Sequence, residues 1–203
     1  MFKNAIVRKP GKNFSQGLTT SNLGVPDYKK TIEQHDAYCR ALEQCGLNLT
    51  YLDANLDYPD STFVEDTFVL THNAAILTNP GADSRKGEVA LIQPILTRFY
   101  KRFYNITSPG TLEGGDICEA GSHFFIGISY RTNEEGARQL SGFLEKEGYS
   151  SSTVDIRDIP GILHLKNGVA WLQDRTLVII DGLKDHPAFK GWKVIQIDPE
   201  EAY

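Results

Sequence analysis

The sequence has 203 residues, of which 40% are hydrophobic and 23% are charged, and its formal net charge is −5. These values are typical of a globular protein with a buried core, and we predict one domain over residues 1–203. The acidic balance argues against nucleic acid as a partner, and no apolar run approaches the ~18 residues of a membrane span. The N-terminus has no apolar signal segment, and three cysteines without metal-ligand spacing favour a cytoplasmic protein.

The predicted elements repeat along the chain as a strand, usually a second strand, a helix and a further strand. Strands are predicted at residues 4–9, 47–53, 62–72, 74–79, 115–121, 123–129, 151–156, 163–172, 175–181 and 193–198. Helices are predicted at residues 27–46, 84–104, 132–147 and 185–191. Asp27 is the predicted N-cap of the first helix, and Thr132 to Glu135 resembles a capping box.

Four such ββαβ units favour a radial arrangement, in which modules too small to bury their own apolar faces surround a common centre. A doubly wound parallel sheet is the alternative. We prefer the radial arrangement because short turns at Asn73, Gly121 and Gln173 make the paired strands antiparallel, whereas a parallel sheet alternates single strands with helices.

Three acids lie in or beside the apolar stretch "STFVEDTFVL" at residues 61–70. Counting by two along a strand places Asp60 and Asp66 on one face and Glu65 on the other. A buried carboxylate is costly without a partner, so these acids indicate a cationic ligand. An Asx turn is the better interpretation for Asp60, and for Asp66 a surface ion pair remains open.

Two further residues occupy similar places in the third and fourth units. Glu113 precedes the pair Gly114-Gly115, which permits positive φ and a close approach of backbone to ligand. His164 lies between two leucines, so as a strand residue it points away from them. The competing interpretations are an ordinary glycine turn stabilised by Asp116 and a histidine without a functional role.

Two arginines follow strand pairs and lead into predicted helices. Arg85 and Arg131 are opposed there by the helix dipole, so neither is placed to stabilise its helix. Each could bind an anionic group of a ligand, although a solvated surface arginine is the more common case. A ligand with a cationic end and a carboxylate end, such as an amino acid with a guanidinium side chain, would suit acids and arginines together.

The segments "FVED", "EGGD", "LHLKNG" and "YRTNEEGARQL" resemble those of the guanidino-modifying superfamily, the penteins, and most closely the dimethylarginine dimethylaminohydrolases. The resemblance covers residues 1–203. It implies a pentein-type five-bladed α/β propeller of ββαβ modules, about four of which this chain contains. It also implies conversion of methylated arginine to citrulline and dimethylamine or methylamine.

The resemblance implies a role for each candidate residue. Asp66 and Glu113 would bind the substrate guanidinium, with Glu65 as a neighbour. His164 would act as general acid and base.

The other end of the substrate would be held by a second set of residues. Arg85 and Arg131 would bind its α-carboxylate. Asp60 and the backbone of Leu18, in the loop "SQGLTTSNLG", would contact its amino end.

The family's nucleophilic cysteine lies in the fifth module, and Cys118, Cys39 and Cys45 do not suit that role. We therefore expect a chain truncated before the fifth module, inactive by itself. The alternatives are an arginine deiminase or amidinotransferase, or a non-catalytic arginine-binding relative. The expected partner is the methylated arginine substrate, with neither nucleic acid nor membrane and with homodimer formation left open. We expect no metal and no other cofactor.

Overall fold

The computed structural model of the chain describes residues 2–19 and 22–201. These residues form two compact units, 1–64 and 65–203, which are described separately. No helix in the described part of the chain is long and apolar enough to cross a membrane.

The first unit has a βαβ arrangement. Strand β1 (Asn4–Arg8) leads to helix α1 (Tyr28–Gln44) and then to strand β2 (Asn48–Leu52), which pairs parallel with β1. Asp27 is the N-cap of α1, and its carboxylate accepts a hydrogen bond of 2.7 Å from the backbone N–H of Lys30. The predicted helix, its N-cap and both flanking strands are therefore confirmed.

The second unit has nine strands and two α-helices in its described residues. In chain order they are β3 (Phe68–Leu70), β4 (Ala74–Leu77), α2 (Glu88–Leu96), β5 (Arg102–Asn105), β6 (Ile117–Ala120), β7 (His123–Ile128), α3 (Glu134–Lys146), β8 (Ser150–Asp155), β9 (Val169–Trp171), β10 (Thr176–Ile179) and β11 (Lys193–Gln196).

The nine strands form three sheets with the same topology. Their orders are β3-β4-β5, β6-β7-β8 and β9-β10-β11. In each sheet the first two strands are antiparallel and the last two are parallel. The predicted ββαβ repeat is therefore confirmed for these three sheets, with the 3-10 helix Pro187–Phe189 in place of an α-helix in the last.

Strand β7 joins two apolar cores because it is buried on both faces. Phe124 packs in a core with Leu140 and Leu144 of α3, whereas the next residue, Phe125, packs with Leu177 of β10. Alternate residues of a strand point to opposite faces, so one strand serves both cores. Successive repeats of the second unit are therefore packed against each other.

The predicted strand at residues 62–72 is wrong in its first half. Residues Val64–Thr67 form a 3-10 helix, and only Phe68–Leu70 form a strand. The argument that Asp60 and Asp66 share one strand face is therefore also wrong. The tight turn leaves the side chain of Glu65 58% exposed and buries Asp66. Glu65 and Asp66 therefore differ in burial, as strand alternation would also have required.

The predicted helix at residues 84–104 is also wrong in part. It divides into a 3-10 helix at Asp83–Arg85, helix α2, and strand β5. The aromatic residues of β5 pair with β4, where Tyr104 lies opposite Ile76. Pairing with an existing strand therefore overrides the helical pattern of the local sequence.

Candidate active site

Three predicted site residues lie close together in the second unit. The carboxylate oxygens of Asp66 and Glu113 and an imidazole nitrogen of His164 all lie within 4.8 Å of one another. Each residue belongs to, or directly precedes, a 3-10 turn that comes before an antiparallel strand pair. The repeat therefore places one polar side chain per module in, or directly before, the same kind of turn.

The glycine pair of "EGGD" makes this approach possible. A Cβ atom on Gly114 would lie 2.0 Å from the carbonyl oxygen of Glu65. A Cβ atom on Gly115 would lie 2.8 Å from both Asp66 Oδ1 and the ring of His164. Neither glycine has positive φ. Close packing of the three turns, and not backbone conformation, therefore requires both glycines.

Asp66 is buried and its carboxylate has two partners. Oδ1 accepts a hydrogen bond of 2.7 Å from the backbone N–H of Gly115, and Oδ2 accepts one of 2.5 Å from Nη1 of Arg85. Thr78 donates to the backbone carbonyl of the same residue over 2.8 Å. The turn that carries Asp66 is therefore held through both its side chain and its backbone.

Arg85 is 4% exposed and lies between two acids. Besides Asp66 it contacts Glu88 through two hydrogen bonds of 2.9 Å, an arrangement that sequence reasoning missed. Burial acts to lower the pKa of Arg85, but the hydrogen bonds and charges of Glu88 and Asp66 raise it. The guanidinium thus binds two internal carboxylates, and its predicted contact with a substrate carboxylate stays a prediction.

Glu113 is 1% exposed. Its Oε1 accepts a hydrogen bond of 3.1 Å from the backbone N–H of Ala82 and lies 3.7 Å from Nη1 of Arg131. Its Oε2 lies 3.5 Å from Nε2 of His164. Burial, helped by the charge of Asp66, raises the pKa of Glu113 although Ala82, Arg131 and His164 act to lower it. Arg131 keeps 19% of its side chain exposed, so it is less buried than Glu113.

His164 is not in a strand, contrary to prediction, and immediately precedes the 3-10 helix Leu165–Asn167. Its backbone N–H donates to Oδ1 of Asn167 over 2.9 Å, and its carbonyl accepts from the N–H of Asn167 over 3.0 Å. These two local contacts fix the backbone from which the imidazole extends. The prediction that strand alternation points the ring of His164 away from two leucines is therefore wrong, because a turn and not a strand carries the residue.

The imidazole of His164 lies between two carboxylates. Nδ1 is 3.3 Å from Oδ1 of Asp116, on the opposite side from Glu113. Burial acts to lower the pKa of His164, but Asp116, Asp66 and Glu113 together raise it above its ordinary value. The environment therefore favours the protonated imidazole, the form that donates a proton.

Asp116 was interpreted from sequence only as a turn-stabilising residue. It is fully buried and also accepts hydrogen bonds from Ser129 (2.7 Å), Thr132 (2.6 Å) and the backbone N–H of Leu165 (3.1 Å). The sequence signal that could have indicated a buried, hydrogen-bonded acid is the position of Asp116 at the end of "EGGD", directly before an apolar strand.

The remaining predicted residues make contacts of their own. Glu65 forms an ion pair with Lys166 at the surface of the second unit. Asp60 and Leu18 belong to the first unit, where both carboxylate oxygens of Asp60 lie 3.1 Å from the backbone nitrogen of Leu18, which donates to them. Of the loop at 15–24, residues 20 and 21 lie outside the described residues.

The three cysteines differ in their surroundings. Cys118 is buried in β6, and burial raises the pKa of its thiol to about 11. Cys39 is buried in α1, and Cys45 is exposed at the end of that helix. Because a thiol with a raised pKa is a poor nucleophile, Cys118 does not suit catalysis.

The chemistry of the acid–imidazole cluster fits an organic cation better than a metal ion. Asp66 already binds the Arg85 guanidinium, so part of its charge is neutralised within the protein. Glu113 has one oxygen beside the imidazole and the other beside Arg131. Such a mixture of anionic and cationic side chains is expected where planar organic ions are bound.

Comparison with known proteins identifies the class of this chain. A family model described as N,N dimethylarginine dimethylhydrolase, eukaryotic, matches residues 16–187. The N(G),N(G)-dimethylarginine dimethylaminohydrolase of Pseudomonas aeruginosa is 46% identical over 204 residues, covering 100% of this chain and 79% of that protein. The enzyme of the same name from Streptomyces coelicolor is 36% identical over 187 residues, covering 92% and 71%.

Solved structures give the same result. The structure of a cysteine-to-serine variant of the P. aeruginosa dimethylarginine dimethylaminohydrolase complexed with citrulline has a TM-score of 0.95 and 46% identity. The match covers 100% of this chain and 79% of that chain. The N-terminal domain of a cyanobacterial arginine dihydrolase has a TM-score of 0.84 at 13% identity, covering 98% and 77%, and shows the fold alone.

These matches assign the chain to the class of mixed α/β proteins that share the pentein fold. Within that class, the chain belongs to the dimethylarginine dimethylaminohydrolase family, a family of hydrolases.

Proposed function

We propose that this chain forms the guanidinium-binding and proton-transfer part of a hydrolase that converts Nω-methylated arginine to citrulline and dimethylamine or methylamine. The observation that carries the proposal is the cluster of Asp66, Glu113 and His164 within 4.8 Å. Membership of the family and the names of its relatives support the choice of substrate. In this proposal the chain contributes about four modules of a five-module propeller, namely the βαβ unit and the three ββαβ repeats.

Binding of the substrate cation follows from the charges in the cluster. A guanidinium is planar and protonated at neutral pH, and carboxylates bind it through parallel N–H···O bonds. Glu113 is the better placed acid because Asp66 is already paired with Arg85. Burial of Glu113 strengthens the attraction, since water screens the charges less there.

The proposed chemistry has two steps. A thiolate attacks the central guanidinium carbon, and the bond from that carbon to the methylated nitrogen breaks as His164 donates a proton to the departing amine. The neutral imidazole then takes a proton from water, which attacks the same carbon and displaces the thiolate. One water is consumed, and citrulline and the amine are released.

None of the three cysteines of this sequence is assigned as the attacking thiolate. Cys118 is protonated at neutral pH because burial raises its pKa to about 11. Cys39 also has a raised pKa, through burial and then the charges of Asp36 and Glu43. Residues 1–203 alone should therefore form no citrulline from dimethylarginine, and citrulline formation that is lost in Cys118→Ala would identify Cys118 as the nucleophile.

We propose that two arginines, Arg85 and Arg131, bind the α-carboxylate of the substrate. Arg131 is the stronger of the two arginine candidates, because its side chain is partly exposed and only loosely paired. Arg85 would have to bind the substrate while keeping Asp66 and Glu88. Asp60 and Leu18 are proposed for the amino end.

Calorimetric titration of dimethylarginine and of citrulline tests the proposal. The two ligands share the amino-acid end and differ in whether the other end is charged. Glu113→Gln should weaken dimethylarginine binding on the order of 10- to 100-fold, as expected for loss of a charged hydrogen bond, and should affect citrulline far less.

Glu119→Gln is the matched control, since Glu119 is a partly buried acid in β6 and is not part of the cluster. It should leave both affinities unchanged. Equal affinity of wild type and Glu113→Gln for dimethylarginine would overturn the proposed site, and tighter binding of unmethylated arginine would favour a deiminase.

A further inference from the structure

Asp116 is the only fully buried acid (0% exposed) in the described residues, and the mechanism above does not use it. It lies at the end of the 3-10 helix Gly114–Asp116, and its partners come from the β7–α3 connection and from the turn that carries His164. The carboxylate therefore joins three segments around the imidazole.

The direction of two of its hydrogen bonds follows from donor counting. Ser129 Oγ accepts from the N–H groups of Arg131 (2.9 Å) and Thr132 (3.0 Å), so its own proton is donated to Asp116. Thr132 Oγ1 accepts from the N–H of Glu113 over 3.1 Å, so its proton is also donated to Asp116. Both hydroxyl groups thus donate to Oδ2.

The other oxygen, Oδ1, accepts from the N–H of Leu165 and faces Nδ1 of His164. Ser129, Thr132 and Leu165 all donate to this carboxylate, which acts as an acceptor toward each of them. Nδ1 is buried and has no hydrogen-bond partner among the described residues, so Asp116 is the acceptor placed to receive its proton.

We propose that Asp116 is the positioning residue of His164: it keeps the proton of the neutral imidazole on Nδ1 and thereby assigns proton transfer to Nε2, beside Glu113. This inference rests on the proposed function for its catalytic meaning. The tautomer itself follows from the geometry of this chain, because a carboxylate 3.3 Å from one ring nitrogen selects that nitrogen for the proton.

The surrounding charges agree with this assignment. The imidazole is faced by Asp116 at Nδ1 and by Glu113 at Nε2, and the charge of Asp66 acts on it as well. Lys166, which follows in the same turn, is paired with Glu65. All three acids favour protonation of the imidazole. Glu113, 3.5 Å from Nε2, acts on the tautomer in the opposite sense, but Asp116 lies closer to its own ring nitrogen, at 3.3 Å, so the proton of the neutral ring is assigned to Nδ1.

Thr132 links the positioning residue to the substrate-binding acid. Its hydroxyl accepts from the backbone N–H of Glu113 and donates to the carboxylate of Asp116. Displacement of Asp116 would therefore disturb both the imidazole and the backbone of Glu113.

The test is nuclear magnetic resonance of the full chain labelled with ¹⁵N-histidine, which distinguishes Nδ1–H from Nε2–H directly and needs no turnover. The His164 signal is identified by its loss in His164→Gln. In the wild-type chain at alkaline pH, His164 should be the Nδ1–H tautomer. In Asp116→Asn the Nδ1–H preference should be lost, and the titration of His164 should move to lower pH.

Ser129→Ala is the matched control, because it removes one donor from Asp116 and leaves the carboxylate beside the ring. Ser129→Ala should reduce stability and leave His164 as the Nδ1–H tautomer. If Asp116 had a purely structural role, Ser129→Ala and Asp116→Asn would instead show the same His164 signal. An Nε2–H tautomer in the wild type overturns the proposal even if Asp116→Asn does not fold. Failure of dimethylarginine binding would count against the proposed function and leave the tautomer result standing.

Discussion

Two buried acids of the second unit, Asp66 and Asp116, are held in opposite ways. Asp66 depends on a cation, since Arg85 binds its carboxylate over 2.5 Å and binds Glu88 as well. Asp116 receives hydrogen bonds from neutral donors, including Ser129 and Thr132. Both acids lie in 3-10 turns ahead of antiparallel strand pairs, so the same kind of turn supports two kinds of partner.

The difference predicts how each region responds to substitution. Removal of one side chain, Arg85, leaves two buried carboxylates without a cation, which is among the most costly changes in a protein interior. Removal of one donor from Asp116 leaves its other donors in place. The charge-paired region should therefore be the more fragile of the two.

Arg85→Met should have the largest effect. We expect a loss of about 3–5 kcal/mol in the free energy of unfolding, because Asp66 and Glu88 lose their common partner in the interior. Urea denaturation measures it. Arg138→Met is the control, since Arg138 forms an exposed pair with Glu135 and should change stability little. A loss below about 1 kcal/mol for Arg85→Met would show that the acids are not charged.

Thr132→Val should have the next largest effect. The substitution preserves shape, removes one donor from Asp116, and leaves the N–H of Glu113 without its acceptor. We expect a loss of about 1.5–3 kcal/mol, less than for Arg85→Met. Thr153→Val, at an exposed position of β8, should be nearly neutral. If the two threonine variants lose equal stability, the Asp116 network does not contribute as described.

Gly115→Ala should disturb both regions at once. The added Cβ would lie 2.8 Å from Asp66 Oδ1 and from the ring of His164, and we expect a loss of about 1–3 kcal/mol. Gly142→Ala is the matched control within α3, where a Cβ has no neighbour within 4 Å. It should raise stability by about 0.4–1 kcal/mol, since alanine restricts the unfolded chain. Thermal unfolding of both variants makes the comparison, and a neutral Gly115→Ala would refute the close approach.

The smallest expected effect is a pH dependence of the free energy of unfolding that comes from His164, the residue beside Asp116. The pKa of His164 is raised above 6.5 in the folded chain, because Asp116, Asp66 and Glu113 outweigh burial. Its protonation therefore stabilises the fold below the unfolded pKa, and this contribution disappears as pH rises through the folded pKa.

His164→Gln should consequently cost more stability at about pH 6 than at about pH 9, compared with wild type at each pH. Denaturation at the two pH values checks the sign. A greater cost at the alkaline value would mean that burial outweighs the three carboxylates.

Local sequence was enough to predict the repeat. The paired strands with their short turns, the helices α1 and α3, and the placement of Asp66, Glu113 and His164 in successive units follow from patterns a few residues long. These features are predictable because strand alternation, helix capping and turn residues act between near neighbours.

Only the tertiary structure decided the partners of the buried acids. Asp66 binds Arg85 19 residues away and the backbone of Gly115 49 residues away, and Asp116 binds Leu165 over another 49 residues. The residues expected in strands at Asp66 and His164 instead lie in, or directly before, 3-10 turns. Local propensity carries no information about a donor that arrives from another module, and a buried carboxylate must adopt whichever backbone brings its donors within reach.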